Sequence, residues 1–193
     1  MPRTRPELDR EEKVGEVLDA AERQLLDGGF DALSVAGIAR ELGLAQNAVY
    51  WYFASRDHLF VAALERILHR AVSTKKPPHD DDPTVMALWF VDRLGQFQPL
   101  LAAVHDRARF SPVVAQFRDD VRAQLRAMFA GAIASLVEPD DVELTADAFI
   151  ATAEGALIQG LGRRERTRLL RFTLAKLLGG GGHEGRGGGR AGS

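Results

Sequence analysis

The sequence contains no cysteine, which excludes disulfides, thiolate zinc sites and thiol nucleophiles and leaves packing to carry stability. It also lacks any apolar run of the roughly 18 residues needed to cross a bilayer. The N-terminal MPRTRPELDREEK has no apolar stretch of the kind found in a signal peptide, so the expectation is a cytoplasmic protein without a membrane partner. Alternation of apolar and polar residues, the mark of a half-buried strand, is absent throughout. Charge is nearly balanced: the net value is -2, and residues 1–75 hold 10 Lys+Arg against 12 Asp+Glu. No basic patch announces a nucleic acid, so any such site has to come from the placement of a few side chains. The histidines His58, His69, His79, His105 and His183 form no spaced ligand set. Asp80, Asp81 and Asp82 read as a solvated linker, and the glycine run near the C-terminus lacks the Gly-Lys-Ser/Thr ending of a phosphate loop. With no nucleophile-base pair either, the sequence reads as a non-enzyme with no cofactor and no metal.

What is present is helical. Val14, Val17, Leu18, Ala21 and Leu25 recur at three- and four-residue steps over 10–27, and Gly28-Gly29 stops that helix. Ser34 caps a short helix over 35–41, with Ile38 and Leu42 facing inward. Gly43 supplies the turn, and helical spacing resumes over 45–53. Ser55 caps a longer helix whose stripe of Leu59, Phe60, Ala63, Leu64, Ile67, Leu68 and Ala71 ends near residue 73. The proline- and charge-rich stretch 73–84 is a connector. Beyond it, helices are expected over 83–94, 97–106, 112–137, 142–161 and 163–178. The tail 179–193 is glycine-rich and is expected to be disordered. The fold class is therefore all-α: a three-helix head with a helix-turn-helix at 10–74, a larger helical domain at 75–178, and the tail.

Both tyrosines and one of the two tryptophans crowd into GLAQNAVYWYF, residues 43–53. At about 100° per residue, Ala45, Val49 and Phe53 share one side of this helix and Gln46, Asn47, Tyr50 and Trp51 the other. Aromatic clusters at helical spacing serve either a core or a contact. Here the cap, the glycine turn and the amide pair stand in register with the rings. Gln and Asn can each pair with adenine N6 and N7 in the major groove, and the tyrosine hydroxyls can donate to phosphate. Trp51 can meet a thymine methyl or the sugar backbone. Arg56 adds a cation beside the start of the next helix.

The segment 20–64, through Ala20-Ala21, Gly29-Phe30, Ile38-Ala39, Leu42-Gly43, Tyr50, Phe53 and Leu59, resembles the DNA-binding domain of the tetracycline-repressor (TetR) family of transcriptional regulators. The resemblance covers about a quarter of the chain. It implies an all-helical homodimeric repressor that binds a palindromic double-stranded operator and is released by a small-molecule effector. It places base reading on Gln46, Asn47 and Ala48 and phosphate contacts on Ser34, Tyr50, Tyr52 and Arg56, with Trp51 beside them at a variable position. Arg56 stands where lysine is usual. Val35-Ala36-Gly37 offers no polar side chain for extra contacts, which leaves Arg3 and Arg5 of the N-terminal arm to add affinity.

For the larger domain, Met86, Trp89, Phe90, Phe97, His105, Phe110, Phe117 and Met128 could line a largely apolar effector pocket, and would serve equally as core. Phe149, Ala153, Ala156, Leu157 and Gly160 on one helix, with Leu170 and Leu177 on the next, form stripes that pack within one chain or between two. The resemblance favours the dimer interface. Two rival readings stay open: a DNA-binding head whose body answers to a protein partner, and an all-helical enzyme or lipid-binding module.

Overall fold

The computed structural model describes residues 5–74, 78 and 82–179. Arg3, Asp80, Asp81 and tail residues 180–193 lie outside the described residues, as does the side chain of Arg5. Among those described there are nine α-helices, two short 3-10 turns and no strand. The helices are α1 (Arg5–Ala32), α2 (Val35–Glu41), α3 (Gln46–Tyr52), α4 (Arg56–Ser73), α5 (Pro83–Leu94), α6 (Gln98–Arg107), α7 (Pro112–Ile133), α8 (Val142–Ile158) and α9 (Arg163–Gly179).

The boundaries follow the local chemistry. Helical geometry in α1 is broken at Gly28 and Gly29. Ser34 and Ser55 cap α2 and α4, their hydroxyl oxygens accepting from the amides of Gly37 and His58 at 3.0 and 3.2 Å. Gly43 has φ 65°, and the Leu44 amide closes α2 onto the Ala39 carbonyl at 2.8 Å. Such a left-handed end favours glycine because it has no Cβ to clash. The same device ends α8 at Ile158, three residues before the expected 161: Gly160 has φ 78° and the Leu161 amide reaches back to Ala156 O at 3.2 Å. Helix α7 stops at Ile133 rather than near 137, the Leu136 amide turning back to Ile133 O at 2.8 Å, and Pro139 holds Glu138 extended beyond that turn.

The chain forms two compact units that do not follow the linear division at residue 74. One holds α1–α4 together with residues 96–120; the other holds α5, Gly95 and the chain from residue 121 onward. The segment 96–120 joins the N-terminal helices because α6 packs on α1, and Leu100, Val104, Val114 and Phe117 are buried. The core of this first unit is Val17, Ala21 and Leu25 from α1, Ile38 from α2, Val49 from α3, and Leu59, Phe60 and Leu64 from α4. Glu22 is buried in it and pairs with Arg66 and Arg70 at 2.8 and 2.9 Å, tying α1 to α4. A carboxylate this far from water requires such partners.

In the second unit α8 and α9 pack on each other, α5 packs on α9, and Phe129 stacks on Phe149 at 4.5 Å. Arg126 joins α7 to α8 through Glu143 and Asp147 at 2.6 and 2.8 Å. Arg166 is buried and donates to Leu161 O at 3.1 Å, while a Cβ at Gly95 would fall 2.3 Å from its guanidinium. Gly95→Ala is therefore expected to push Arg166 off its carbonyl and to lower stability by about 1–3 kcal/mol. Gly131→Ala meets open space in the last turn of α7, and is expected to raise stability by up to about 0.5 kcal/mol, the low end of the mid-helix difference. Urea unfolding of both variants against the parent checks the pair of opposite signs.

Candidate nucleic-acid interface

Helix α3 has seven residues, and its register divides them. Val49 is fully buried and seats the helix on its unit, where α2 packs against it. Gln46 and Asn47 are exposed, as are Tyr50 at 41% and Trp51 at 84%. Ala48 and Tyr52 are half-buried. Phe53, expected in the core, is only half-buried, and Ala45, expected on the same side, is exposed. Both lie at the ends of α3 as its caps, with extended backbone, so the helical register that assigned them inward does not extend to them. An 84% exposed indole has little packing to explain it, whereas the rest of the outward face is two amides and a phenol able to hydrogen-bond base edges and phosphates.

Ser34 sits at the start of α2. Its amide donates to Gln24 Oε1 at 2.7 Å, and its hydroxyl oxygen accepts the Gly37 amide. The hydroxyl hydrogen remains to be donated outward.

Arg56 is placed differently from the other expected contacts. Its Nη2 donates to the backbone carbonyls of Phe30 and Asp31, and its guanidinium lies 4.1 Å from the Phe30 ring centroid. Arg107 of α6 also lies 4.1 Å from that centroid. It pairs with Asp57 Oδ1 through Nε at 2.8 Å and Nη2 at 2.7 Å. Phe60 meets the Phe30 ring edge-on at 4.9 Å. This cluster of Phe30, Arg56, Asp57, Phe60 and Arg107 has no local signature in the sequence, because Asp57 and Arg107 stand 50 positions apart.

Burial opposes ionisation of Asp57. Hydrogen bonds from Arg107 and Ser111, with the charges of Arg107 and Arg56, outweigh it and hold the carboxyl below the ordinary carboxylate range. An unfolded aspartate titrates at about 3.9. Because the folded value is lower, the stabilisation is complete above the unfolded value and is lost as pH falls through the folded one. Asp57→Asn is expected to be less stable than the parent near pH 6, with the two converging below about pH 4; urea midpoints measured across that range check it.

The residues expected at an effector pocket are divided between the two units. Met86, Trp89, Phe90 and Met128 belong to the second unit, while Phe97, His105, Phe110 and Phe117 belong to the first. Phe110 is 84% exposed, His105 and Met128 are exposed, and Phe117 is buried. On α5, Met86, Trp89 and Phe90 are half-buried, with the two rings edge to face at 6.1 Å. The expected dimer stripe is mostly spent within one chain: Phe149, Ala153, Ala156, Leu157 and Leu170 are all buried. Gly160 is exposed at the end of α8 and Leu177 is half-buried. The apolar side chains that α8 and α9 do present outward are Leu144, Leu169 and Phe172. Periodicity finds a stripe, but two helices that pack on each other each spend one stripe on that contact.

No metal-holding group of three or more His, Asp or Glu occurs among the described residues, and none of their helices is long and apolar enough to cross a membrane.

Residues 17–63 match the family described as bacterial regulatory proteins, tetR family. The HTH-type transcriptional regulator Rv1816 of Mycobacterium tuberculosis is 32% identical over 149 residues, covering 72% of this chain and 63% of that protein. The chain thus spans a little under two thirds of the length of this relative. The HTH-type transcriptional repressor KstR of Rhodococcus jostii is 28% identical over 182 residues, covering 89% of this chain and 85% of that one. Among solved structures, a transcriptional regulator from Rhodococcus sp. Rha1 superposes with a TM-score of 0.71 at 19% identity, covering 86% of this chain and 96% of that chain. These relatives are regulators, not enzymes. The matched segment holds the capped α2, the Gly43 turn and the outward face of α3 together, and this segment belongs to the TetR family of bacterial regulatory proteins.

Proposed function

We propose that the chain is a sequence-specific DNA-binding transcriptional regulator, acting as a homodimeric repressor that a small molecule releases from a palindromic operator. The observation that carries the reading is the outward face of α3, where Gln46, Asn47, Tyr50 and Trp51 stand exposed around a buried Val49. Gln46 and Asn47 read base edges, with Ala48 beside them. Ser34, Tyr50 and Tyr52 donate to phosphates, and Trp51 packs on a thymine methyl or the sugar backbone. Rings and amides substitute for a basic patch in a chain of net charge -2.

One helix-turn-helix reads only a few base pairs, so specificity calls for two heads about 34–36 Å apart on one face of the duplex. The surface that favours self-association is the outer side of α8 and α9, with Leu144, Leu169 and Phe172 exposed. Gly160 is exposed and Leu177 half-buried on the same two helices. For the effector, the half-buried Met86, Trp89 and Phe90 of α5 favour an apolar or aromatic molecule. The repressor sign is taken from KstR, a relative matched over most of both chains.

The test is selection of bound duplexes from a random pool with the full chain, followed by titration of the recovered sequence at rising salt. The expected result is an inverted repeat bound by a dimer, with affinity falling linearly in log salt and Trp51 fluorescence changing on binding. Recovery of no preferred sequence sinks the reading.

A further inference from the structure

Arg56 occupies the position from which a cation is expected to grip an operator phosphate, yet its guanidinium is spent inward. Nη2 donates to Phe30 O at 2.5 Å and lies 3.3 Å from Asp31 O, Nε is buried without a hydrogen-bond partner, and the group stacks on the Phe30 ring. Leaving for a phosphate would give up the bonds to both carbonyls, with Phe30 O keeping only the Leu33 amide at 3.1 Å, and would uncover a ring whose residue is otherwise 8% exposed. Arg107 occupies the same ring, and Asp57 supplies the negative charge that lets two guanidinium groups share it. A planar fork that hydrogen-bonds and stacks at once is what an arginine offers and a lysine does not.

The clasped turn is three residues from the α2 cap. Phe30 and Asp31 lead through Leu33, buried and bonded to Phe30 O at 3.1 Å, to Ser34, and α2 packs on α3. We propose that Arg56 and Arg107 are positioning residues for DNA binding: they clamp the Phe30–Asp31 turn to the first turn of α4, thereby fixing the α2–α3 pair, and Arg56 contacts no operator phosphate. This rests on the DNA-binding reading above and removes Arg56 from its contact set. Arg107, remote in sequence from α3, enters the set of affinity-determining residues.

The two roles differ in what salt reveals. A lysine replacing a phosphate-bound arginine keeps its charge and most of its affinity, whereas a neutral residue there flattens the slope of log affinity against log salt by about 0.9 per contact, hence about 1.8 for a dimer. A clamp behaves the other way. With the full-length protein and the duplex recovered by selection, Arg56→Lys, Arg107→Lys and Phe30→Leu are each expected to weaken binding on the order of ten-fold, the size of a lost charge-assisted hydrogen bond. The salt slope stays at the parent value, and the Arg56→Lys, Phe30→Leu double variant loses little more than either single one, because both remove the same contact. Affinities are taken at a temperature where circular dichroism shows every protein fully helical. A change that only lowered stability would leave the folded protein's affinity intact, and that result overturns the proposal. It is equally overturned if Arg56→Lys binds as the parent does while Arg56→Gln flattens the slope. Absence of salt-dependent binding by the parent itself overturns the DNA-binding reading and this proposal together, whereas parent-like binding by all the variants overturns this proposal alone.

Discussion

Phe60→Ala is expected to lower the stability of the N-terminal unit by about 3–5 kcal/mol and to abolish operator binding at physiological temperature. Phe60 is fully buried, and among the described residues it is the largest side chain that reaches that state. Its truncation removes the edge that supports the Phe30 ring at 4.9 Å, so the loss has two parts. One is the transfer energy and cavity of the missing ring. The other is the loosening of Phe30, on which Arg56 and Arg107 both rest. Typical domains are stable by only about 5–15 kcal/mol, so a loss of this size consumes much of the margin. Urea unfolding gives the magnitude, and retention of parent stability would show that the Phe30–Phe60 contact is peripheral. Phe60→Leu keeps most of the volume and is expected to cost less than half as much, which separates cavity from contact.

Some of this architecture is legible without coordinates because it is local. Ser34 and Ser55 cap within three residues, and Gly43 satisfies a turn within five. Of the expected stripe on α4, Leu59, Phe60, Ala63, Leu64, Ile67 and Ala71 are buried as their spacing implies, and Leu68 is half-buried. What stays hidden is of two kinds. The first is which partner a stripe faces: Phe149, Ala153 and Ala156 form a clear apolar row, but the row points into its own chain, and a period of 3.6 residues has no means of distinguishing a neighbour within the molecule from one outside it. The second is where a long charged side chain ends. Arg56 lies at a helix start beside the recognition helix, and its backbone place is compatible with either role. The proposed clamp role rests on the partners Phe30 O and Asp31 O, 26 and 25 positions away. The same limit hid the Asp57–Arg107 pair, and with it the membership of α6 in the first unit.

Gln46→Ala is expected to leave the fold untouched and to erase discrimination at one base pair of each operator half-site. Gln46 is the exposed first residue of α3, and no hydrogen bond or ion pair holds its side chain, so alanine removes nothing from the unit. A bidentate amide on adenine is worth about 1–3 kcal/mol against the wrong base, which is roughly a 5- to 150-fold preference. Because the amide carries no charge, the salt slope of binding remains that of the parent. Tyr50→Phe gives the complementary result: a hydroxyl donated to phosphate carries no sequence information, so affinity falls for every sequence alike and preferences are retained. Selection from a random pool with each variant separates the two effects at once. If Gln46→Ala recovers the parent's sequence with undiminished preference at every position, base reading does not pass through Gln46. The burden of specificity then shifts to Asn47 and to Trp51, whose fully turned-out indole is the other outward feature of this face able to sense a thymine methyl.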